Sequence, residues 1–511
     1  MDSGNKRIAK NAGMLYVRMF LSTLVGLYTS RVVLQVLGVE DYGIYGLVGG
    51  VIGMIGFIQS SMSGATSRFI TYELGSGNNE RLSQIFSCSL IIHSGIAIIF
   101  LIFGETLGLW FLNNKLVIPQ ERIYAAHWVY QLSIVSSMIG VTQTPYGAVL
   151  MSHEKMDIYA YFELLNVFLK LGIVFVLVIG NFDKLILYAW LMFAVTVFMM
   201  FLYRFYCIRH FPESHFHLIW RKDIIQSLLS FSGWDLYGNM CVVTNRQSIN
   251  FIINFFFGVL LNAASSVAST IHGTILGFSS VFVIAFRPQI IKNFAQQRYE
   301  RMQDIMCNSI KYTIILYSAM AVPAMLEIDL VLKLWLETVP NYASIFCRIL
   351  IFTSIIIFAS NITLSAIHAT GNIKRISFIT GSVYLVTIPI MYFILKCWHG
   401  NPEIVYIINF ISLCFVLICN LSVLKIQIPQ LSLWLLIKSL ILGLLYPFLA
   451  LSFFFPIYHC LDSSIIRLLM TCLIYPSLLL LITYNFALDI YSREAFKSYV
   501  RKRLINFGFR L

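Results

Sequence analysis

Four polar residues share one side of an otherwise apolar stretch. Tyr159, Glu163, Asn166 and Lys170 fall at i, i+4, i+7 and i+11, a spacing that stacks them along one helical face. A second stretch repeats the chemistry, with Asp235, Asn239, Arg246 and Asn250 at i, i+4, i+11 and i+15. Each face offers an acid, an amide and a cation. In apolar surroundings Lys and Arg hold phosphate or carboxylate strongly, amides serve hydroxyl groups, and the acids compete with the anion or take up a coupling proton or sodium ion. Glu163 stands seven residues from Lys170 and Asp235 eleven from Arg246, about 10 and 16 Å along a helix, so neither acid neutralises the cation on its own helix. The plainer reading of these faces is structural glue between helices. Intramembrane ionisable groups are functional by default, which favours Lys170 and Arg246 as ligand-binding cations, with Glu163, Asp235, Asn166, Asn239 and Asn250 as polar or coupling groups around them.

Arg18 and Arg31 lie thirteen residues apart in the first apolar stretch, about 140° around an ideal helix. Arg31 shares a stripe with Tyr28 and Gln35, Arg18 one with Ser22 and Thr29, and Gly26 between them offers a bend. Arg31 is the one expected to face the interior, and Arg18 is kept beside it. Lys311 and Arg348 join the candidate cavity cations. For these two, as for Arg68, Lys438 and Arg467, a position near the end of an apolar stretch makes snorkelling to the headgroups the simpler account.

The elements that carry these residues follow from composition. Of 511 residues 59% are hydrophobic and 12% charged, with a mean hydropathy of +0.80. A soluble chain carries about 25% charged residues, so this one belongs in a bilayer. Its long continuous apolar runs exclude a β-barrel, whose strands alternate over roughly ten residues. Fourteen runs are long enough to cross as helices: 14–37, 44–68, 85–104, 123–147, 159–179, 184–206, 226–254, 261–286, 307–327, 344–368, 376–396, 404–424, 433–455 and 464–487. The expected fold is all-α and membrane-integral, with an N-terminal lobe over 1–206, a C-terminal lobe over 207–424, two extra helices over 425–487 and a basic tail over 488–511.

Charge orients the chain. With the N-terminus inside, 21 cations fall on the inner side and five on the outer, namely Lys115, Arg122, Lys184, Lys333 and Lys396. That bias places both termini in the cytoplasm, with the tail lying along the anionic inner surface. The first apolar run lacks a cleavage pattern and is expected to stay as an anchor. Ten scattered cysteines without a CxxC pair imply neither disulfides nor a metal cage. His153 with Asp157 and His459 with Asp462 stand in short loops without the further groups that an active site needs, and there is no P-loop. An enzyme is not expected, nor a nucleic-acid partner.

An internal repeat organises the lobes. Glu80, Arg81, Ile85 and Ser89 recur as Glu300, Arg301, Ile305 and Ser309, and Gly38-Val39 recurs as Gly258-Val259, both at an offset of 220. Six helices per half keep the two halves in the same orientation, which makes the repeat parallel, with a pseudo-two-fold along the membrane normal. Such repeats are typical of secondary transporters.

The run RMFLSTLVGLYTSRVVLQVLGVEDYGIYGLV, with LG-x-x-D-Y-G-I-Y at Leu37 to Tyr45, and SRFITYELGSGNNERLSQIF after it resemble the polysaccharide biosynthesis (O-antigen flippase) family of the multidrug, oligosaccharidyl-lipid and polysaccharide exporter superfamily. PYGAVLMSHEKM at 145–156, WLETVPNYA at 335–343 and ATGNIKR at 369–375 extend the resemblance over most of the chain. It implies two six-helix lobes, two further helices, and flipping of a polyprenyl-pyrophosphate-linked oligosaccharide to the outer leaflet of the bacterial cytoplasmic membrane by alternating access. Lys170, Arg246 and Arg31 would hold the pyrophosphate. The partners implied are the lipid-linked oligosaccharide, membrane lipids and a glycan polymerase or other assembly protein, with no cofactor beyond a proton or sodium gradient. The alternatives are a cation-coupled multidrug or small-metabolite exporter of the same superfamily, and a membrane-bound glycan-modifying enzyme.

Overall fold

The computed structural model describes residues 3–53, 56–114, 118–177, 183–336, 339–398, 400–462 and 464–487; the basic tail over 488–511 lies outside them. Every regular element among the described residues is helical, as a chain that must satisfy its backbone within a bilayer requires. In order these are α1 (Ser3–Gly53), α2 (Gly56–Ser76), α3 (Asn79–Phe103), α4 (Leu109–Asn114), α5 (Ile123–Ser152), α6 (Met156–Leu177), α7 (Lys184–His210), α8 (Lys222–Ala295), α9 (Tyr299–Leu326), α10 (Ile328–Trp335), α11 (Ala343–Thr370), α12 (Lys374–Trp398), α13 (Glu403–Gln427), α14 (Leu433–His459) and α15 (Ile465–Ile482). Among the described residues ten helices are long and apolar enough to cross a membrane. The described parts of the fourteen apolar runs fall on helices, and α8 takes in two runs whole while α1 takes in the first run and the start of the second. The chain is an all-α integral membrane protein.

It divides into two compact units, Asn11–Leu236 and, with Met1–Lys10, Tyr237–Leu511. Inside each, the packing follows one scheme. In the first unit α5 packs on α3 and α7, and α6 on α7; in the second α11 packs on α9 and α13, and α12 on α13. Helices α14 and α15 pack on each other and on α9.

The repeat is clearest in the backbone. Gly38 (φ 81°, ψ 168°) kinks α1, and Gly258 (φ 80°, ψ −176°) kinks α8. This corner of conformational space is essentially closed to residues with a Cβ. The second matched segment behaves likewise: Gly77 (φ 78°) precedes α3 and Gln297 (φ 56°) precedes α9 at the same offset. The α5–α6 turn takes a positive φ at Glu154 and the α11–α12 turn at Gly371.

Three helix ends of the first unit meet at one arginine. The Arg122 guanidinium, at the start of α5, grips both oxygens of Asp41 just past the α1 kink and lies 2.7 Å from Asp183 Oδ2 at the start of α7. Burial alone would raise the Asp183 carboxyl, but the hydrogen bond from Arg122 outweighs it and holds the group below the usual carboxylate range. Asp183 also caps α7, accepting from the Leu185 and Ile186 amides at 3.0 and 3.1 Å. The segment after α7 is fastened to the same unit: Glu213 pairs with His153, and the His217 amide donates to Ser87 Oγ at 3.2 Å.

Two cations assigned by position to snorkelling do something else. Arg68 is buried, 6% exposed, with its guanidinium 4.5 and 4.9 Å from the Phe69 and Tyr72 ring centroids. Arg467 on α15 reaches the fully buried Glu327 at the end of α9 through two contacts, Nε to Oε1 at 2.8 Å and a second nitrogen to Oε2 at 3.0 Å. Thr471 Oγ1 adds a third bond to Glu327 at 3.3 Å, and the Tyr458 ring of α14 lies 4.5 Å under the guanidinium. Position along the chain cannot reveal such partners, because Glu327 stands 140 residues from Arg467.

Two stability predictions follow from these contacts. Gly38→Ala and Gly258→Ala each meet no neighbour within 4 Å, so the cost is that of the backbone alone, about 1–3 kcal/mol. Thermal unfolding of the purified protein in detergent should show both losses, with Gly26→Ala as the control in ordinary helical backbone. Arg467→Ala, which strands a buried carboxylate, should cost about 3–5 kcal/mol by the same measurement, and the paired change Arg467→Met with Glu327→Leu distinctly less.

Candidate functional site

The α6 face keeps its polar residues in two tiers. At the lower tier the Tyr203 hydroxyl of α7 donates to Glu163 Oε1 at 3.2 Å, and the Arg18 guanidinium of α1 lies 5.3 Å from the Tyr159 ring centroid. One residue past Tyr203, Arg204 donates to Thr142 Oγ1 on α5 at 3.0 Å and sits 5.4 Å from the Tyr146 ring centroid. Several buried atoms here have no partner: Nε of Arg18, Nε of Arg204, both polar atoms of the Gln143 amide and the Tyr16 hydroxyl. Buried polar atoms are rarely left this way. Tyr203, Arg204, Thr142 and Gln143 were not singled out from the sequence. The signal for Arg204 was present as a cation inside an apolar run; its partners on α5 were not readable.

The upper tier holds Lys170 and Arg31. Helices α1 and α6 share the buried cluster of Val33, Leu37, Ile173, Val174, Leu177 and Tyr188. From Arg18 to Val33 is fifteen residues, and from Tyr159 to Val174 also fifteen, so equal lengths of α1 and α6 lead from the Arg18–Tyr159 contact to that cluster. Arg31 and Lys170 each lie about 10 Å short of the Gly38 and Leu177 ends of those helices. Lys170 is half-buried and Arg31 exposed. Neither forms a salt bridge or hydrogen bond among the described residues, and the same holds for Asn166. Cations left without an acid partner in membrane helices are suited to an anion.

The α8 face does not act as one stripe, because the boundary between the units falls inside it. Asp235 belongs to the first unit, where the Ser61 hydroxyl lies 2.9 Å from its Oδ2 and 3.0 Å from the Ser232 carbonyl. Asn250 belongs to the second and accepts from Ser265 Oγ at 2.6 Å, which in turn takes the Tyr406 hydroxyl at 2.8 Å. That chain ties α8 to α13 and leaves Asn250 committed to packing. Arg246 and Asn239 are exposed. Arg246 makes no hydrogen bond or salt bridge among the described residues.

Lys311 and Arg348 have protein partners. Lys311 Nζ donates to the Ala487 carbonyl at 3.2 Å and lies 4.5 Å from the Tyr312 ring centroid. Arg348 donates to the Met325 carbonyl at 3.2 Å and to Asp329 Oδ2 at 2.7 Å. Burial opposes the effect, but hydrogen bonding led by Ser344, with the Arg348 charge behind it, holds the Asp329 carboxyl below its usual range. Both cations fasten helix ends within the second unit.

No family model and no curated protein sequence matches this chain. Solved structures do. An outward-facing multidrug resistance MATE family transporter of the MOP superfamily is similar at 14% identity, over 84% of this chain and 96% of that one, with a TM-score of 0.71. The MATE transporter ClbM in complex with Rb+ matches at 15% identity over 86% and 97% of the two chains, with a TM-score of 0.68. A MOP superfamily transporter from Pyrococcus furiosus, described for a binding pocket of reverse polarity that suggests a different function, matches at 14% over 83% and 96%, with a TM-score of 0.68. At these identities the likeness concerns architecture, and the chain has the fold of the MATE transporters of the MOP superfamily.

Proposed function

We propose that this protein is a membrane transporter that moves an amphiphile with an anionic head, of the polyprenyl-pyrophosphate-linked oligosaccharide type, from the inner to the outer leaflet of a bacterial cytoplasmic membrane by alternating access. One observation carries the choice of head group. Three acids of the membrane helices have partners, Glu163 in Tyr203, Asp235 in Ser61 and Glu327 in Arg467. Lys170, Arg31 and Arg246 have no acid partner among the described residues. Lys170 and Arg31 bind the pyrophosphate, and the tyrosines, Gln143 and Asn166 below them serve the sugars. The orientation rests on the excess of inner-side cations, and the energy source is a proton or sodium gradient. The reversed pocket polarity described for the Pyrococcus furiosus transporter supports the idea that this fold hosts substrates of opposite charge.

A second reading is export of cationic drugs or small metabolites. It draws its support from the multidrug MATE transporters among the similar structures, and Glu163 is the acid that it would employ.

Replacement of Lys170 and Arg31 by Ala, in a strain whose surface glycan depends on this gene, separates the two. Each charge-assisted hydrogen bond lost is worth about 1.5–3 kcal/mol, so the head-group reading expects surface glycan to fall about tenfold or more at normal protein level. Unchanged glycan overturns it. Loss of organic-cation efflux in Glu163→Gln, with glycan intact in the double variant, establishes the second reading instead.

A further inference from the structure

Between α7 and α8 the chain makes one helical turn at Pro212–Ser214 and then runs without regular structure to Arg221. It is fastened along its length to the first unit. Glu213 pairs with His153, the His217 amide donates to Ser87 Oγ at 3.2 Å, and the Cys88 thiol donates to the Ile219 carbonyl at 3.6 Å. Ser87 and Cys88 stand in the opening turn of the apolar run 85–104 of α3. These two contacts therefore hold residues 217 and 219 at the depth where a membrane helix passes from head groups into hydrocarbon.

Three large apolar side chains alternate with the two fastened residues. Phe216 is 48% exposed, Leu218 87% and Trp220 66%. The exposed apolar surface continues on the helices to either side, through Phe201 and Phe205, one turn apart on α7, and Leu229 on α8. Aromatic rings at the ends of membrane spans favour the head-group level. Charge points the same way. Arg209 and Lys222 bracket the segment, both exposed and without an acid partner among the described residues, while Arg221 is shared with Asp223 at 3.1 Å and 3.2 Å. A surface that joins lipid-facing helices and carries cations beside its apolar groups matches a phospholipid with an anionic head.

We propose that residues 209–222 form a docking segment for anionic phospholipid, in which Phe216, Leu218 and Trp220 enter the head-group boundary while Arg209 and Lys222 hold the lipid phosphates. The excess of inner-side cations puts the segment on the leaflet that carries such lipids. This segment is also the covalent joint between the two sequence repeats, so the joint is held by lipid as well as by α3 and α5. The inference needs only the membrane-integral fold and is independent of the substrate.

The test uses the full-length protein in lipid nanodiscs and reads the fluorescence of Trp220 as the difference between wild type and Trp220→Phe, or Trp220→Tyr where the phenylalanine variant does not fold. Two preparations of identical composition contain phosphatidylcholine and phosphatidylglycerol, with bromine on the acyl chains of one lipid or the other at equal mole fraction. Brominated phosphatidylglycerol should quench Trp220 at least about twofold more than brominated phosphatidylcholine. That preference should fall to near equality in the double variant Arg209→Gln with Lys222→Gln, and acrylamide in the water should quench Trp220 far less than it quenches free tryptophan. Equal quenching by the two lipids in the wild type overturns the proposal. So does free access of acrylamide with no quenching by either lipid, which marks the segment as a surface open to a soluble protein instead.

Discussion

A bilayer interior has no water to spare for polar groups, and every feature of this chain is a response to that scarcity. Backbone groups meet it by helix formation throughout. Side chains meet it by pairing, and the pairing is uneven. Glu163, Asp235 and Glu327 receive hydroxyls or a guanidinium, most completely at Glu327, which takes Arg467 and Thr471 together. Several cations have no acid partner among the described residues, Arg31 on α1, Lys170 on α6 and Arg246 on α8 among them. A charge near the bilayer centre costs a few kcal/mol on insertion scales, and a cation left without an acid partner there places that cost where an anionic ligand can offset it.

The same scarcity explains what the most distinctive sequence element does. The Leu37 to Tyr45 run makes structural contacts. Gly38 supplies the backbone bend, Asp41 receives Arg122, and the Tyr45 ring meets Tyr188 edge-on at 4.9 Å. The PYGAVLMSHEKM run is similar in kind: Ser152 and Thr71 share a hydrogen bond at 2.8 Å and His153 pairs with Glu213. In ATGNIKR, Gly371 ends α11 with a positive φ, and Thr370 reaches Gln427 at 2.8 Å. These motifs hold turns and helix ends in place. A likeness built on them reports shared architecture, and the substrate has to be argued from other residues.

Helices were legible in the sequence because apolar runs of about 20 residues have few other uses. The kinked fusion of two runs in α1 and in α8 was not, since a glycine tolerates a straight helix as readily as a bend. The repeat was legible at two short matches, and the backbone takes an unusual φ within the first and three residues before the second. For the site, periodicity placed Glu163 and Lys170 on one face of α6 but said nothing of its packing on α1, which came from the shared cluster around Val33 and Ile173. Arg68 and Arg467 were misjudged because distance from a helix end was the only information available. What decides the fate of a membrane cation is the nearest ring or carboxylate, and for Arg467 that group is far away in sequence.

The Arg122 cluster has one more consequence. A guanidinium carries one positive charge and here serves two carboxylates, Asp41 and Asp183, of which Asp183 stays ionised well into acid. Lys184, next to Asp183, has its Nζ 3.4 Å from the Val36 carbonyl of α1, so a second cation stands at the same helix ends. Arg122 and both carboxylates are partly open to water, and attraction between such charges is screened over a Debye length of about 8 Å at physiological ionic strength. The clamp that secures these helices therefore loosens as salt rises.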